Sequence, residues 1–439
     1  VVELARDVGT IRPSVIRVLI GAEHTAHGAE AYRAIATIPS ITGAWQDRGG
    51  GLARSTEVYF DDALDESALG RPDLLAGRRP RTIAQGRLGD ALTNPDMDPP
   101  VAALVVYNSN PAAIVPDQNL VLAGLARDDL FCVVADHFLT DTARYADVVL
   151  PATTQLEHLD LVAPWGHLVL GLNRPAIDPV GESLPNTEIF RRLAAAMGLE
   201  EPALYESDEE ILAKVLSTGS PLLAGIDRER LERDTWVRLA LPEDWRPFSD
   251  AEHERRGGRR IELSGSTWTS VGFGVAPTHH PPEESPEGDP ELAARFPLRL
   301  LTMKSHTKFL NSSYSHLDRH QPAGGEPVVE ICAEDAVARG LADGDVARIW
   351  NDRGALDLRV RISNRVRPGL VAVPFGWTLA RSPGGRTSNA LANAGRTDGG
   401  GTAFHDNLVQ AAAIGDTSGS SDAVGPDAIS PGREAAPPR

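Results

Sequence analysis

Between Val101 and Thr153 the chain alternates apolar runs of strand length with stretches of helical spacing. "VAALVVYN" and "LFCVVADHF" are continuous apolar runs, and "QNLVLAGLARDD" between them has helical spacing. "TDTARYA" predicts a short helix that Thr140 can cap, and "DVVLPAT" predicts a third strand. Continuous strands separated by helices predict a parallel sheet covered on both faces. Upstream, residues 1–60 predict a helix, a short strand in "IRVLIG", a helix over "AEAYRAIATIPSITG" and a glycine-rich loop, "DRGGGLARS". Residues 61–98 are rich in Pro, Gly and Asp and read as a surface excursion or linker. "LPNTEIFRRLAAAMGLE" predicts a helix capped by Asn186 or Thr187. Ile189, Phe190, Leu193 and Met197 form its apolar stripe, and Gly198 sits at its left-handed end. A further helix is expected near "DEEILAKVL", and "APTHHPPEESPEGDPE" reads as a solvated linker. After Phe296 the pattern becomes short strands, "LRLLTM", "PVVEICA", "DVARIWN", "ALDLRVRIS" and "GLVAVPFGW", with a tight turn at "NDRG" and a short helix at "EDAVARGL". Near-regular short strands predict a barrel. The tail reads as disordered.

Composition narrows the possibilities. A chain of 439 residues is too long for one ordinary core and predicts two or three domains. The net charge of −18 argues against a nucleic-acid partner, which needs a basic face, and against an anionic membrane surface. The two cysteines, Cys132 and Cys332, lie in apolar runs. They are too few for an iron–sulfur or structural zinc site, and they read as small buried hydrophobes with no disulfide framework. No run reaches the ~18 apolar residues of a membrane span. The start has no Met and opens directly into a helical pattern, which reads as a piece of a longer protein. A signal peptide is not seen.

Ligands of parallel sheets lie beyond the carboxyl ends of the strands. Two loops there carry chemistry. In "YNSNP", the Asn108 and Asn110 amides can read a base or pterin edge, or can form an Asx turn that ends the strand. In "VVADHF", Asp136 closes the next strand, where a carboxylate can grip ribose hydroxyls or a guanine edge. Thr140, Thr142 and Thr153 can reach phosphate or act as caps. No GxGxxG follows the first strand and no GxxxxGK[ST] occurs, which disfavours an ordinary NAD or ATP enzyme. His316 and His320 have i, i+4 spacing but no third ligand, so no metal site is assigned. His279 and His280 fall in the Pro-rich segment. No GxSxG supports a hydrolase. "LTMKSHTKFLNSSYSH" holds two of the three lysines in the chain, Lys304 and Lys308. The long stretch Gly376 to Asp406 is either a functional loop or disordered, and Trp377 and Phe404 argue that it docks.

Several of these segments, in order, resemble one family. "NSNP", "DHFLTDTARYADVVLPATTQLE" and "LNRPAIDPVGESLPNTEIFRRLAAAMG" resemble the second half of a molybdopterin oxidoreductase of the dimethyl-sulfoxide-reductase superfamily. "AVARGLADGDVARIWNDRGALDLRVRISNRVRPGLVAVPFGW" and "SNALANAGRTDGGGTAFHDNLV" resemble its C-terminal molybdopterin-dinucleotide-binding barrel, and "RAIATIPSITGAWQDRGGG" fits too. The formate-dehydrogenase-like subgroup is most similar. The resemblance implies α/β layered domains with a parallel sheet followed by a C-terminal double-psi β-barrel. Residues 1–60 would end an inserted α/β domain and 61–99 would be an excursion. Residues 100–200 would be an α/β dinucleotide-binding domain, 201–295 a helical and Pro-rich connection, 296–412 the barrel and 413–439 a disordered tail.

The family binds molybdopterin guanine dinucleotide, two per metal, holding molybdenum or tungsten. Matching positions are Asn108, Asn110, Asp136 and Thr142 on one side. On the barrel side they are Thr302, Lys304, His306, Asn311, Ser312, Asn389 and Asp398. A lysine on a flexible stem suits a cofactor phosphate, and Lys304 is favoured over Lys308. His24 and His27 are candidates for lining the site, with His24 where the family often has Arg. No catalytic residue and no protein metal ligand is assigned. A 4Fe–4S motif and any export signal are expected upstream of this chain, and a cytoplasmic location is expected. The implied partners are a small-molecule substrate and an electron-transfer protein. The expected function is the C-terminal part of a two-electron oxidoreductase, inactive alone. The alternatives are a cofactor-binding module without activity, or a plain nucleotide-dependent α/β enzyme.

Overall fold

The computed structural model describes residues 1–248, 261, 263, 266–270, 272–304, 311–320 and 325–414. His306, Lys308 and the tail beyond 414 lie outside the described residues. The strands in chain order are β1 (Val15–Arg17), β2 (Gly51–Ala53), β3 (Ala103–Tyr107), β4 (Phe131–Asp136), β5 (Val148–Pro151), β6 (Asp160–Val162) and β7 (Val169–Asn173). They continue with β8 (Trp236–Arg238), β9 (Leu298–Lys304), β10 (Val328–Ile331), β11 (Val346–Asn351), β12 (Gly354–Ile362), β13 (Leu370–Phe375) and β14 (Leu408–Ala413). The chain divides into two compact units. One comprises 1–20, 32–81 and 151–278; the other comprises 21–31, 82–150 and 279 onward.

In the first unit β1 and β2 pair in parallel, Val15 opposite Gly51. The glycine-rich stretch expected as a loop therefore ends in a strand. Gly51 has φ +101°, and a Cβ there would stand 2.3 Å from the Trp45 ring, so only glycine fits. The antiparallel sheet β6–β7–β8 supplies Leu170, Leu172 and Val237 to a core shared with Tyr59, Phe60, Leu212 and Leu231. The helix Asp208–Leu216 starts with a reciprocal capping box between Ser207 and Glu210. The helix Asn186–Ala196 also forms, but Pro185 takes the N-cap position without a side-chain bond. Its predicted stripe is largely uncovered: Phe190, Leu193 and Met197 are exposed and only Ala194 is buried. Helical periodicity marks an apolar face, but a cover for that face must come from elsewhere.

The second unit contains the sheet β3–β4–β5, with β3 and β4 parallel. The helices Leu88–Thr93 and Gln118–Leu125 approach each other closely. A Cβ on Gly124 would lie 2.4 Å from the Leu92 side chain. Leu92, Val121, Leu122 and Leu125 form a cluster against which Leu104 packs. Val106, Cys132 and Val134 are buried on the same sheet. The expectation of a sheet covered on both faces is corrected here. Val105, Tyr107 and Phe131 are about half exposed, because the β3–β4 crossover covers only one face.

The same unit holds a closed barrel in the order β10–β12–β11–β14–β9–β13. Pairs β10–β12 and β13–β9 are parallel, and the other four are antiparallel. Leu298, Leu300, Ile349, Leu356, Leu358 and Val371 fill it with the period-2 alternation of strands. The turn at "NDRG" closes β11 onto β12, Asn351 opposite Gly354. The Pro-rich stretch predicted as a solvated linker is tethered to this unit. Glu284 pairs with Arg353 at 2.6 Å and Ser285 is buried. Glu284 also accepts the Leu408 N–H, so this segment, whose composition reads as solvated, is bonded to the barrel. His279 and His280 are exposed. Among the described residues no helix is long and apolar enough to cross a membrane.

Candidate functional site

All the described candidates but Thr153 lie in the second unit; Thr153 belongs to the first, where its hydroxyl meets His158 Nδ1 at 3.0 Å. The loop after β3 places Asn110 as the hub of a buried network. Its Oδ1 accepts the Thr142 backbone N–H at 3.0 Å and the Thr142 hydroxyl at 2.8 Å. Its Nδ2 donates to the Ser312 hydroxyl at 3.2 Å and to Asp141 Oδ2 at 3.4 Å. Asp141 in turn accepts the Leu379 N–H, and the Thr142 hydroxyl accepts the Ala112 N–H. Three sequence-predicted residues, Asn110, Thr142 and Ser312, are thus brought together. They use their polar atoms on one another, which fits positioning of the loops more than reading a ligand. Asp141 completes the network and was not among the sequence candidates, although it adjoins Thr142.

Asn108 and Asp136 stand nearer solvent at the ends of β3 and β4. Asn108 has φ +53°, a left-handed conformation that asparagine tolerates. Asp136 accepts the His137 and Phe138 N–H groups, an Asx-type turn that leaves carboxylate capacity in reserve. Phe138 stacks on His316, with ring centroids 5.4 Å apart and planes at 18°. Burial lowers the His316 pKa despite Asp141 and Asp136 nearby, and its Nε2 has no partner among the described residues. No described group of three or more His, Cys, Asp or Glu could hold a metal ion.

On the barrel, Lys304 ends β9 and donates to Asn311 Oδ1 at 3.3 Å, with its ammonium 5.7 Å from the Phe375 ring centre. Asn311 has φ +61°. Partial desolvation lowers the Lys304 pKa. The Thr302 hydroxyl donates to the Phe404 carbonyl at 3.4 Å. Asn389 is fully buried. Its Nδ2 donates to the Ala113 carbonyl at 2.8 Å, while its Oδ1 and the neighbouring Ser388 hydroxyl have no described partner. Gln118, which carried no sequence signal, is fully buried and ties the Ala112 carbonyl to the Thr387 N–H. The long stretch after Trp377 therefore docks through side-chain bonds to the α/β part of its own unit. Asp398 accepts the N–H groups of Ala29 and Glu30, capping the helix Gly28–Thr42 from a distance in sequence.

His24 and His27 lie against the same stretch. The His24 ring is 5.0 Å from Phe404 and 5.2 Å from His405, and the His24 carbonyl accepts the His405 N–H at 2.9 Å. His27 stands 5.1 Å from His280. Burial, then the neighbouring His24, pushes the His405 pKa down to about 4. Burial and then Lys304 lower that of His24, with Glu23 acting in the opposite sense. The cysteines are free and buried, and desolvation pushes the Cys132 thiol up to about 11.

The second unit is thus of the class that joins a parallel α/β layer to a closed β-barrel, with a loop after the sheet bonded to a barrel loop. Family models match the chain twice: "Molybdopterin oxidoreductase" over residues 14–196 and "Molydopterin dinucleotide binding domain" over 298–408. The chain belongs to the molybdopterin oxidoreductase family, with homologues in the dimethyl-sulfoxide-reductase superfamily. It is 36% identical over 409 residues to a probable oxidoreductase, YoaE, of Bacillus subtilis, covering 93% of this chain and 58% of the relative. It is 27% identical to a dimethyl sulfoxide/trimethylamine N-oxide reductase of Cereibacter sphaeroides, covering 80% and 47%. The solved acetylene hydratase from Pelobacter acetylenicus shares the fold, with TM-score 0.70 and 20% identity, covering 94% of this chain and 62% of that one. The chain thus spans about half the length of the curated relatives it matches.

Proposed function

We propose that this chain binds a molybdopterin guanine dinucleotide carrying molybdenum or tungsten and contributes to two-electron oxidation or reduction of a small molecule. The observation that carries this reading is the bond from Asn110 to Ser312. It draws the crest of the parallel sheet and a barrel loop into one wall. The donor set fits the cofactor. Lys304 and Asn311 offer a cation and an amide to a pyrophosphate, and Asp136 offers acceptors to a nucleobase or ribose. The buried, unpartnered Asn389 Oδ1 and Ser388 hydroxyl are further polar atoms in the docked barrel loop.

The bound metal would supply the two-electron chemistry. This chain's residues would position it. Asn110, Thr142 and Asp141 fix the loop, Asn108 and Asp136 face the ligand, and Lys304 neutralises phosphate charge. Residues 296–412 would form a double-psi barrel and 100–200 the facing dinucleotide domain. The electron partner would be a separate redox protein.

The test is metal analysis and pterin fluorescence on protein purified under reducing conditions. Bound pterin with molybdenum or tungsten is expected, and Lys304→Ala should lower both. NAD or ATP binding without pterin or metal would favour a plain nucleotide enzyme instead.

A further inference from the structure

Three nitrogen-bearing side chains gather where the segment Gly21–Ala31 crosses the end of the barrel. His24 belongs to that segment, His405 to the stretch before β14, and Lys304 to the end of β9. The two imidazoles are 5.2 Å apart, both are partly buried, and Phe404 walls one side. The backbone bond from His405 N–H to the His24 carbonyl holds them in that relation. His405 Nδ1 is buried with no hydrogen-bond partner among the described residues. In a chain of net charge −18, a local positive pocket has to be assembled from particular side chains.

We propose that His24, His405 and Lys304 form a proton-coupled oxyanion site, which takes up a phosphate-class dianion together with a proton from solvent. The inference rests on the cofactor reading only for the source of the anion, a cofactor phosphate rather than a free one. Its chemistry is independent of that reading.

Before an anion binds, the surroundings disfavour the charged form of both imidazoles. Burial is the main cause for both, and the charge of Lys304 adds to it at His24. Glu23 is the opposing charge at His24, and His24 is the neighbour felt by His405. Asp406, next in sequence, accepts the Ala26 N–H with one oxygen, and burial raises its pKa. An entering dianion reverses the balance, because an opposite charge favours the imidazolium. It also gives His405 Nδ1 the acceptor that it lacks. The histidine pair gains a proton on binding the anion, so binding strengthens as pH falls. The window lies between the lowered free-state pKa of His24 and its raised bound-state value. One coupled proton gives up to about a tenfold change in affinity per pH unit there.

The experiment is calorimetric titration of the full chain with inorganic pyrophosphate from pH 5.5 to 8, in two buffers of different ionisation enthalpy. Net proton uptake approaching one per anion is expected, with tighter binding at lower pH. In the double variant His24→Gln/His405→Gln, uptake should vanish while weaker binding through Lys304 persists. A second measurement needs no substitution: ring-labelled histidine signals followed by NMR at pH 6.5. Two signals should move part-way toward imidazolium positions on adding pyrophosphate, together accounting for about one proton. Guanosine monophosphate as a second probe separates the sources, because equal proton uptake with tighter binding assigns the site to a nucleotide phosphate. Equal or weaker binding of that probe overturns the assignment to a cofactor phosphate. Binding without proton uptake, unmoved histidine signals, or no binding at all would overturn the coupled site. None of these readouts depends on pterin or metal content, so the two readings fail separately.

Discussion

Replacing Asn110 by aspartate puts a charge into the network that joins the β3 loop to the β4 loop and to Ser312. The substitution keeps the size and the acceptor that serves Thr142. It replaces the donating Nδ2 with an oxygen facing Asp141 Oδ2 across 3.4 Å. Two carboxylates at that separation repel by about 5 kcal/mol at an effective dielectric constant of 20. Side-chain relaxation and protonation reduce this, and we expect a loss of about 3 kcal/mol near neutral pH. The new pair shares a proton in the folded state, so its folded pKa lies above the unfolded carboxyl value of about 3.9. The penalty is therefore small below that value and grows as pH rises through the folded pKa. Asn110→Ala is the control. It strands the buried Thr142 N–H and hydroxyl at about 1–3 kcal/mol each, with no pH dependence. Urea denaturation of the wild type and both variants at pH 4.5, 6 and 8 reads the difference. If Asn110→Asp loses as much stability at pH 4.5 as at pH 8, the Asn110–Asp141 contact is not the one described.

Other outcomes follow from single contacts. The Thr154 hydroxyl first, then the N–H groups of Val180 and Thr154, hold the Glu157 carboxyl down to about 2. Its stabilisation is complete above the unfolded value near 4.5 and is lost as pH falls toward 2, so the advantage of wild type over Glu157→Gln in urea should close across that range. The Cys132 thiol, at about 11, should react with a disulfide reagent at pH 8 far more slowly in the native chain than in urea. Asp398→Ala should cost about 1 kcal/mol by removing the distant helix cap, and Asp398→Asn should retain most of it, as read by denaturation midpoints.

Strand positions were legible because burial in the barrel repeats every second residue, as in β9, where Leu298, Leu300 and Thr302 point inward. The loops at the ends of β3 and β4 were legible for a similar local reason: an apolar run stops at Asn or Asp. What surrounds each element was not legible. The helix Asn186–Ala196 leaves Phe190, Leu193 and Met197 of the predicted stripe exposed, and β3 exposes Val105 and Tyr107. Periodicity specifies a face; the neighbour that covers it depends on chain closure hundreds of residues away. Gln118 illustrates the limit. A glutamine in a helical pattern reads as a surface residue, yet this one is fully buried because Ala112 and Thr387 present a carbonyl and an N–H to it.

The same distinction sorts the candidate residues by their remaining hydrogen-bond capacity. An amide has two donors and two acceptor positions, and Asn110 has used all four on protein groups. Such a residue can set the distance between two loops but has nothing left for a ligand. Among the described residues Lys304 makes one hydrogen bond, at 3.3 Å to Asn311, and an ammonium carries three donors. Among the described residues, Asn389 keeps its Oδ1 and His405 its Nδ1 without a partner, in surroundings where an unmet polar atom is costly. Sequence reasoning selects residue types able to touch a phosphate or a base. Counting the bonds already made separates those that hold the site's shape from those still able to bind, and it moves His405 into the second group although its sequence context, "AFHDN", carries no motif.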